Sequence, residues 1–132
     1  MYTCPKAGGA SASQHLFVYG SLVDPRCLND VLGHAHQGER LRARLVGYER
    51  VTRPTYEFPY IVEARGRAVD GVLVMELSPF DMQALDRYEE VDEGMYRREH
   101  VEVEAWGCGP RPLRFEAETY VAGRALDAST DR

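Results

Sequence analysis

The chain has 132 residues and a formal net charge of −5, with acidic and basic residues interspersed along it. This length suits one domain whose single core needs neither a disulfide nor a metal for stability. No run approaches the roughly 20 apolar residues that cross a bilayer, and no basic face is clustered, so we expect no membrane or nucleic-acid partner. A small molecule or another protein is therefore the expected partner.

The cysteines and the two ends of the chain indicate an intracellular protein without disulfide bonds or a structural metal. We interpret the cysteines as reduced thiols, because their positions match neither a disulfide framework nor a zinc site. The three are Cys4, Cys27 and Cys108. Residues 1–13 are small and polar and lack the basic-then-apolar pattern of a secretion signal. We expect a cytoplasmic location, one domain over residues 14–123, and flexible tails over residues 1–13 and 124–132.

The first motif is a glycine turn that follows an apolar run. His15-Leu16-Phe17-Val18 predicts a strand, and Tyr19-Gly20-Ser21-Leu22 predicts the turn after it. Asp24 and Pro25 then predict a helix start, and Gly33 predicts its end near Leu32. Unpaired amides beside a helix N-terminus can bind an anion, so this segment is a candidate carboxylate site. A turn that merely connects a strand to a helix is the alternative interpretation.

The middle of the chain predicts strands separated by a loop. Residues 39–51 alternate apolar residues with arginines, which is typical of a strand with one face in water. The arginines of that face are Arg40, Arg42 and Arg44, and we assign them no functional role. Two prolines among the aromatics of residues 53–60 predict a long loop. Residues 60–64 and 71–77 predict two further strands, joined through Arg65-Gly66-Arg67.

A second helix begins at Ser78-Pro79-Phe80-Asp81, which combines an N-cap serine, a first-turn proline and an acid three residues on. The helix is predicted to run to about Glu89, and strands are predicted over residues 96–105 and 113–122.

On a helical wheel, Glu89 lies between the apolar residues Leu85 and Met82. An apolar setting raises a carboxyl pKa, which makes Glu89 a candidate general base. Three polar residues gather on the solvated side of the wheel: Gln83, Asp86 and Glu90. Alternatively, Glu89 caps a strand or pairs with an arginine. The arginines near enough in sequence are Arg87, Arg97 and Arg98.

Four motifs, in this order and spacing, resemble the gamma-glutamylcyclotransferase (AIG2-like) family in its short bacterial form. They are Tyr19-Gly20-Ser21-Leu22, Pro59-Tyr60-Ile61, Asp70-Gly71-Val72-Leu73, and Leu85-Asp86-Arg87-Tyr88-Glu89 followed by Gly94-Met95-Tyr96. The resemblance spans residues 15–122. It implies an α+β fold, with a small mixed β-barrel-like sheet and flanking short helices. It also implies a pocket between the glycine turn and Glu89.

The resemblance further implies a cyclising, cofactor-free acyltransferase. Enzymes of that family convert a gamma-glutamyl group to 5-oxoproline and release an amine or amino acid. Here the backbone amides of Gly20, Ser21 and Leu22 would hold the substrate carboxylate, and Glu89 would move the proton. Tyrosine hydroxyls at family positions would orient the amine or the carboxylate: Tyr19, Tyr96 and Tyr120. Family members often carry glycine after the catalytic glutamate, whereas Glu90 stands here, and its charge could raise the pKa of Glu89 further.

Other interpretations of the same residues remain. A non-catalytic binding module would keep the turn and use Glu89 to receive a ligand ammonium. Ser21 as a nucleophile is disfavoured because the G-x-S-x-G elbow is absent. His34 and His36 lack further ligands nearby, so no metal is expected. The choice between monomer and homodimer, and the identity of the gamma-glutamyl compound, stay open.

Overall fold

Five β-strands close into a barrel, and two short helices pack beside it, in a computed structural model that describes residues 14–53, 56–107 and 109–124. The strands are β1 (Gln14–Val18), β2 (Arg40–Arg53), β3 (Tyr56–Leu77), β4 (Tyr96–Trp106) and β5 (Leu113–Ala122). The helices are α1 (Pro25–Leu32) and α2 (Pro79–Tyr88), and a 3-10 turn (Ser21–Val23) precedes α1. The predicted tails fall mostly outside the described residues.

The strand order is β1-β3-β2-β4-β5, and β1 pairs with β5 to close the barrel. That closing pair is parallel, whereas the other four pairs are antiparallel. Closure removes the exposed edges that an open five-stranded sheet would have. The mixed, barrel-like sheet with flanking short helices is thereby confirmed.

The β2–β3 hairpin corrects two predictions. The loop predicted over residues 53–60 is wrong at both ends, because β2 reaches Arg53 and β3 already begins at Tyr56; residues 54–55 lie outside the described residues. Pairing shifts between Val51↔Tyr60 and Arg53↔Tyr56, so Pro59 falls in an irregularity where its missing N–H costs no ladder bond.

The two strands predicted over residues 60–64 and 71–77 are parts of one strand. Pairing with β2 jumps from Val46↔Ala68 to Tyr48↔Glu63, so the segment Arg65-Gly66-Arg67 forms a bulge and does not end the strand. Gly47 and Gly66 face this irregularity with φ of 90° and 81°, a conformation that glycine adopts without strain.

Both helices begin and end at the predicted signals. Asp24 caps α1 by accepting a hydrogen bond from the Arg26 amide, and Gly33 ends it with φ of 81°. Ser78 and Asp81 form a reciprocal capping box at the start of α2. Neither helix in the described ranges has the length or the apolar character that crossing a bilayer requires.

Two apolar clusters hold the fold together. One consists of strand residues that share the barrel interior, including Phe17, Leu73 and Phe115. The other joins the opposite strand faces to the helices, and it includes Leu16 and Leu85. Consecutive residues of β1 therefore point into different clusters, as the period of two requires. The second cluster fixes α2 against the barrel and so positions the residues at its C-terminal end.

Candidate active site

A cavity of about 250 Å³ opens between the turn after β1 and the C-terminal end of α2. It is lined by all seven residues that the sequence predicts for the site: Tyr19, Gly20, Ser21, Leu22, Glu89, Tyr96 and Tyr120. The rest of the wall comes from Phe17, Val18, Pro59, Tyr88 and Glu90. Residues from five separate parts of the sequence thus share one small cavity.

The turn after β1 has three backbone amides that donate no hydrogen bond within the 3-10 turn. In the 3-10 turn, the Val23 amide is the first to donate, to the Gly20 carbonyl at 3.1 Å. The amides of Gly20, Ser21 and Leu22 come before it, and the first amides of a helical turn have no partner inside the turn. Anions bind readily to such consecutive N–H groups.

The start of α1 does not take part, contrary to the expectation that it would converge on the same point. Three residues of 3-10 turn separate Gly20 from Asp24, and the Asp24 carboxylate occupies the helix N-terminus by accepting from the Arg26 amide at 2.9 Å. Asp24 does not line the cavity. The candidate carboxylate site therefore consists of the turn amides alone.

Glu89 is the C-cap residue of α2, and its amide donates to the Leu85 carbonyl at 2.9 Å. Leu85 and Met82, its neighbours on the helical wheel, are both buried. Burial raises the pKa of Glu89 from 4.5 to about 7. At neutral pH the carboxyl can therefore both accept and donate a proton.

The alternative interpretation of Glu89 as an ion-pair partner is wrong. Arg97 pairs with Glu99 at 3.1 Å, and Arg98 pairs with Asp86 at 3.0 Å. Across the ranges that the structure describes, no side chain forms a hydrogen bond or ion pair with the Glu89 carboxylate. Its charge would thus be left to solvent in the cavity or to a ligand.

Glu90 differs from its neighbour in conformation and surroundings. Its φ is 54°, in the left-handed region that favours glycine, and its side chain is exposed. This backbone conformation gives a physical reason for a glycine at the position. Burial, and not the Glu90 charge, raises the pKa of Glu89, so the expected influence of the second carboxylate is not found.

The three predicted tyrosines all commit their hydroxyl protons to acceptors in the protein. Tyr19 donates to the Tyr120 carbonyl at 2.6 Å, and Tyr96 donates to the Pro59 carbonyl at 2.9 Å. Tyr120 donates to Asp86 Oδ1 at 2.7 Å. These bonds join the turn after β1 to β5, β4 to β3, and β5 to α2 around the cavity.

Sequence reasoning missed three contributors to the site. The Tyr88 hydroxyl lies 2.8 Å from Ser21 Oγ across the cavity. Arg40 donates through a guanidinium nitrogen to the Val23 carbonyl at 2.5 Å and so holds the 3-10 turn. Asp86, placed on the solvated side of α2 by the wheel, instead contacts Tyr120 and Arg98. Only Tyr88 had a local signal, its place directly before Glu89.

The histidines of the loop after α1 have protein partners. His34 Nε2 lies 2.7 Å from Asp81 Oδ1, and His36 Nε2 lies 2.6 Å from the Met75 carbonyl. Within residues 14–53, 56–107 and 109–124, no three histidine, cysteine or acidic side chains are grouped so as to hold a metal ion.

Comparison with known protein families shows which family the chain belongs to. A family model described as gamma-glutamyl cyclotransferase, AIG2-like, matches residues 16–132. The chain belongs to this family. The match includes every residue of the cavity wall, and it extends beyond residue 123, where the sequence predicts the domain to end. No curated protein gives a significant match to this AIG2-like chain.

Solved structures share the fold of this family member. A solution structure of an Arabidopsis thaliana protein matches with a TM-score of 0.72 and 24% identity, over 86% of this chain and 71% of that one. An AIG2-like protein from Mus musculus matches with a TM-score of 0.64 and 21% identity, over 85% and 78%. YkqA from Bacillus subtilis matches with a TM-score of 0.64 and 25% identity, but the AIG2-like chain spans only 41% of it.

Proposed function

We propose that the chain cyclises a gamma-glutamyl amine or amino acid to 5-oxoproline and releases the amine, with Glu89 as general acid and base. One observation carries the proposal: a carboxyl with a pKa near 7 and no bonded side-chain partner among the described residues shares a small cavity with the amides of Gly20, Ser21 and Leu22. A donor group at one end and a base at the other match the carboxylate and the ammonium of an α-amino acid.

In the proposed reaction, the turn amides bind the α-carboxylate and Glu89 takes a proton from the α-ammonium. The neutral amine then attacks the gamma-carbonyl carbon of the same molecule, forming the ring C–N bond. Glu89 gives its proton to the gamma-amide nitrogen as that C–N bond breaks. It then takes the second proton of the new ring nitrogen and passes it to the released amine, which leaves as an ammonium. A base that both takes and returns a proton works best with a pKa near the working pH, and the pKa of Glu89 is about 7.

Few polar groups are needed because the nucleophile and the electrophile belong to one molecule. The protein has to fold the substrate so that amine and carbonyl approach, and this positioning alone can lower a barrier by several kcal/mol, roughly 7–11 in the best intramolecular cases. A cavity of about 250 Å³ suits an amino-acid-sized group. Five of the residues that line it are aromatic and shield the reacting atoms: Phe17, Tyr19, Tyr88, Tyr96 and Tyr120.

The test is incubation of the purified protein with a panel of gamma-glutamyl amines and amino acids, with 5-oxoproline measured by mass spectrometry. Glu89→Gln removes the base and keeps the shape, and Glu90→Gln is the matched control on the adjacent, exposed carboxylate. We expect product from the wild type and from Glu90→Gln, and a loss of about 10²-fold or more in Glu89→Gln.

Two results would contradict the proposal. Equal turnover by a folded Glu89→Gln variant would remove Glu89 from the chemistry. Binding of panel compounds without product from the wild type would instead favour a non-catalytic binding module, in which Glu89 receives the ligand ammonium.

A further inference from the structure

Asp86 lies one helical turn before Glu89 on α2, and a single oxygen of its carboxylate receives two bonds. Oδ1 accepts from the Tyr120 hydroxyl at 2.7 Å and lies 3.0 Å from Arg98 Nε. A second nitrogen of Arg98 donates to Glu118 Oε1 at 2.8 Å. The carboxylate is therefore held between a strand cation and a tyrosine of the cavity wall.

This arrangement fixes where the hydroxyl proton of Tyr120 lies. A phenol has one proton, and a carboxylate partnered with arginine only accepts, so the proton lies on the bond to Asp86. Toward any other group, the Tyr120 oxygen can only accept a hydrogen bond. Burial, with the carboxylates of Asp86 and Glu89, raises the pKa of Tyr120 far above its usual range, so the hydroxyl keeps its proton.

We propose that Asp86 is a positioning residue that fixes the Tyr120 oxygen as a hydrogen-bond acceptor for the α-ammonium of the substrate, an assignment that rests on the proposed function. Tyr120 lines the same cavity as Glu89, and the charge of Glu89 acts on its hydroxyl. An ammonium placed there has two acceptors, whereas a carboxylate would face only acceptors.

The cavity is thereby divided by hydrogen-bonding character. The turn at residues 20–22 offers donors, and the side formed by Glu89 and Tyr120 offers acceptors. An α-amino acid fits this division in one orientation, with its amine beside the base. Asp86 contributes to binding the ammonium without touching it.

The test compares two ligands that cannot react. In L-methionine sulfone, an unreactive sulfone stands where the gamma-amide carbon would be, and 4-(methylsulfonyl)butanoate is the same molecule without the α-ammonium. Both are titrated calorimetrically at pH 8 into the wild type and three variants. A hydrogen bond to a charged group predicts that the wild type binds the ammonium-bearing ligand about 10-fold tighter or more.

Three variants distinguish an Asp86 that orients the Tyr120 hydroxyl from an Asp86 that only stabilises the fold. Asp86→Leu removes the acceptor, and Tyr120→Phe removes the oxygen while keeping the ring. Asp86→Asn keeps an oxygen for both donors, because turning its amide nitrogen toward Tyr120 would set it against the Arg98 donor as well. We expect the affinity ratio of the two ligands to fall at least about 5-fold in Asp86→Leu and Tyr120→Phe, and to stay within about 2-fold in Asp86→Asn.

A purely structural role would weaken both ligands together and leave their ratio unchanged, which would overturn the inference. No binding of L-methionine sulfone to the wild type would also overturn it. If Asp86→Leu does not fold, an unchanged ratio in Tyr120→Phe has the same meaning. A wild type that shows the expected ratios but forms no 5-oxoproline would contradict the proposed function and leave the ammonium site standing.

Discussion

The hydroxyl of Tyr88 and Oγ of Ser21 lie 2.8 Å apart and join the end of α2 to the turn after β1. One residue further along, Glu89 lines the same cavity as that turn. The bond therefore couples the position of the candidate base to the position of the candidate carboxylate site. Tyr88 is 41% exposed, so this link lies at the mouth of the cavity and not in the core.

Removing either partner of this bond should weaken substrate binding by a similar amount. Ser21→Ala and Tyr88→Phe are each expected to raise KM about 3- to 10-fold, because a neutral hydrogen bond contributes roughly 1 kcal/mol. The double variant should be no worse than either single one, as expected for two residues that act as a pair. Steady-state kinetics on all four proteins measures this; additive losses would show that the two hydroxyls act separately.

The pH dependence of kcat/KM should report the ionisation of Glu89 in the free protein. Its pKa is about 7, so the carboxylate form, which accepts the ammonium proton, is lost as the pH falls below 7. We expect kcat/KM to rise about tenfold per pH unit below pH 6 and to level off above pH 8. A limb centred near pH 4.5, the ordinary value for glutamate, would contradict the assignment.

The same pKa predicts how Glu89→Gln changes the free energy of unfolding. The folded-state pKa of about 7 exceeds the ordinary value of 4.5, so the stability associated with Glu89 is fully present below pH 4.5 and is lost as the pH rises to about 7. Glu89→Gln should therefore stabilise the protein at pH 8 by about 1–3 kcal/mol and have little effect at pH 4. Urea unfolding at both pH values measures it. A variant less stable than the wild type at pH 8 would show that the charge is not destabilising.

Arg40 should affect the site through the 3-10 turn. Its guanidinium donates to the Val23 carbonyl, so Arg40→Met removes a charge-assisted bond that holds the turn in place. We expect KM to rise about 5- to 20-fold with a smaller change in kcat. Arg42→Met is the matched control, because Arg42 lies over the Trp106 ring, 4.2 Å from its centroid. Equal effects of the two substitutions would exclude a specific role for Arg40.

Glycine should be tolerated at position 90 and not at a neighbouring position. Glu90 has φ of 54°, where glycine avoids the strain of a side chain, and this gain offsets its greater freedom in the unfolded chain. Glu90→Gly should change the free energy of unfolding by less than about 0.5 kcal/mol or stabilise the protein. Glu93→Gly, at an exposed position without positive φ, should cost about 0.5–1 kcal/mol. Thermal unfolding separates them; equal losses would contradict the conformational argument.

Local signals explain why much of the fold and site could be predicted. The capping box of Ser78 and Asp81 and the stop at Gly33 depend on neighbours within a few residues. The burial of Leu85 and Met82, which flank Glu89 on the helical wheel, followed from helical geometry alone. Features of this kind depend only on residues close in sequence, and the structure confirms the two helix signals.

The missed features depend on partners distant in sequence. Asp86 looks like a solvated helix residue until the fold brings Tyr120 and Arg98 beside it. The break expected at Gly66 became a bulge because β2 continues to pair on both sides of it. Neither the hydropathy period nor turn propensity carries this information, because both describe neighbours along the chain and not across the sheet.

The most direct test of the central claim is the reaction of a gamma-glutamyl substrate in H₂¹⁸O, with the products analysed by mass spectrometry. The account predicts 5-oxoproline whose ring carbonyl carries no ¹⁸O, because the α-amine and not water attacks the gamma-carbonyl. It also predicts that Glu89→Gln loses this product and that Glu90→Gln keeps it. Glutamate carrying ¹⁸O in its gamma-carboxyl group would show hydrolysis by water and would contradict the account.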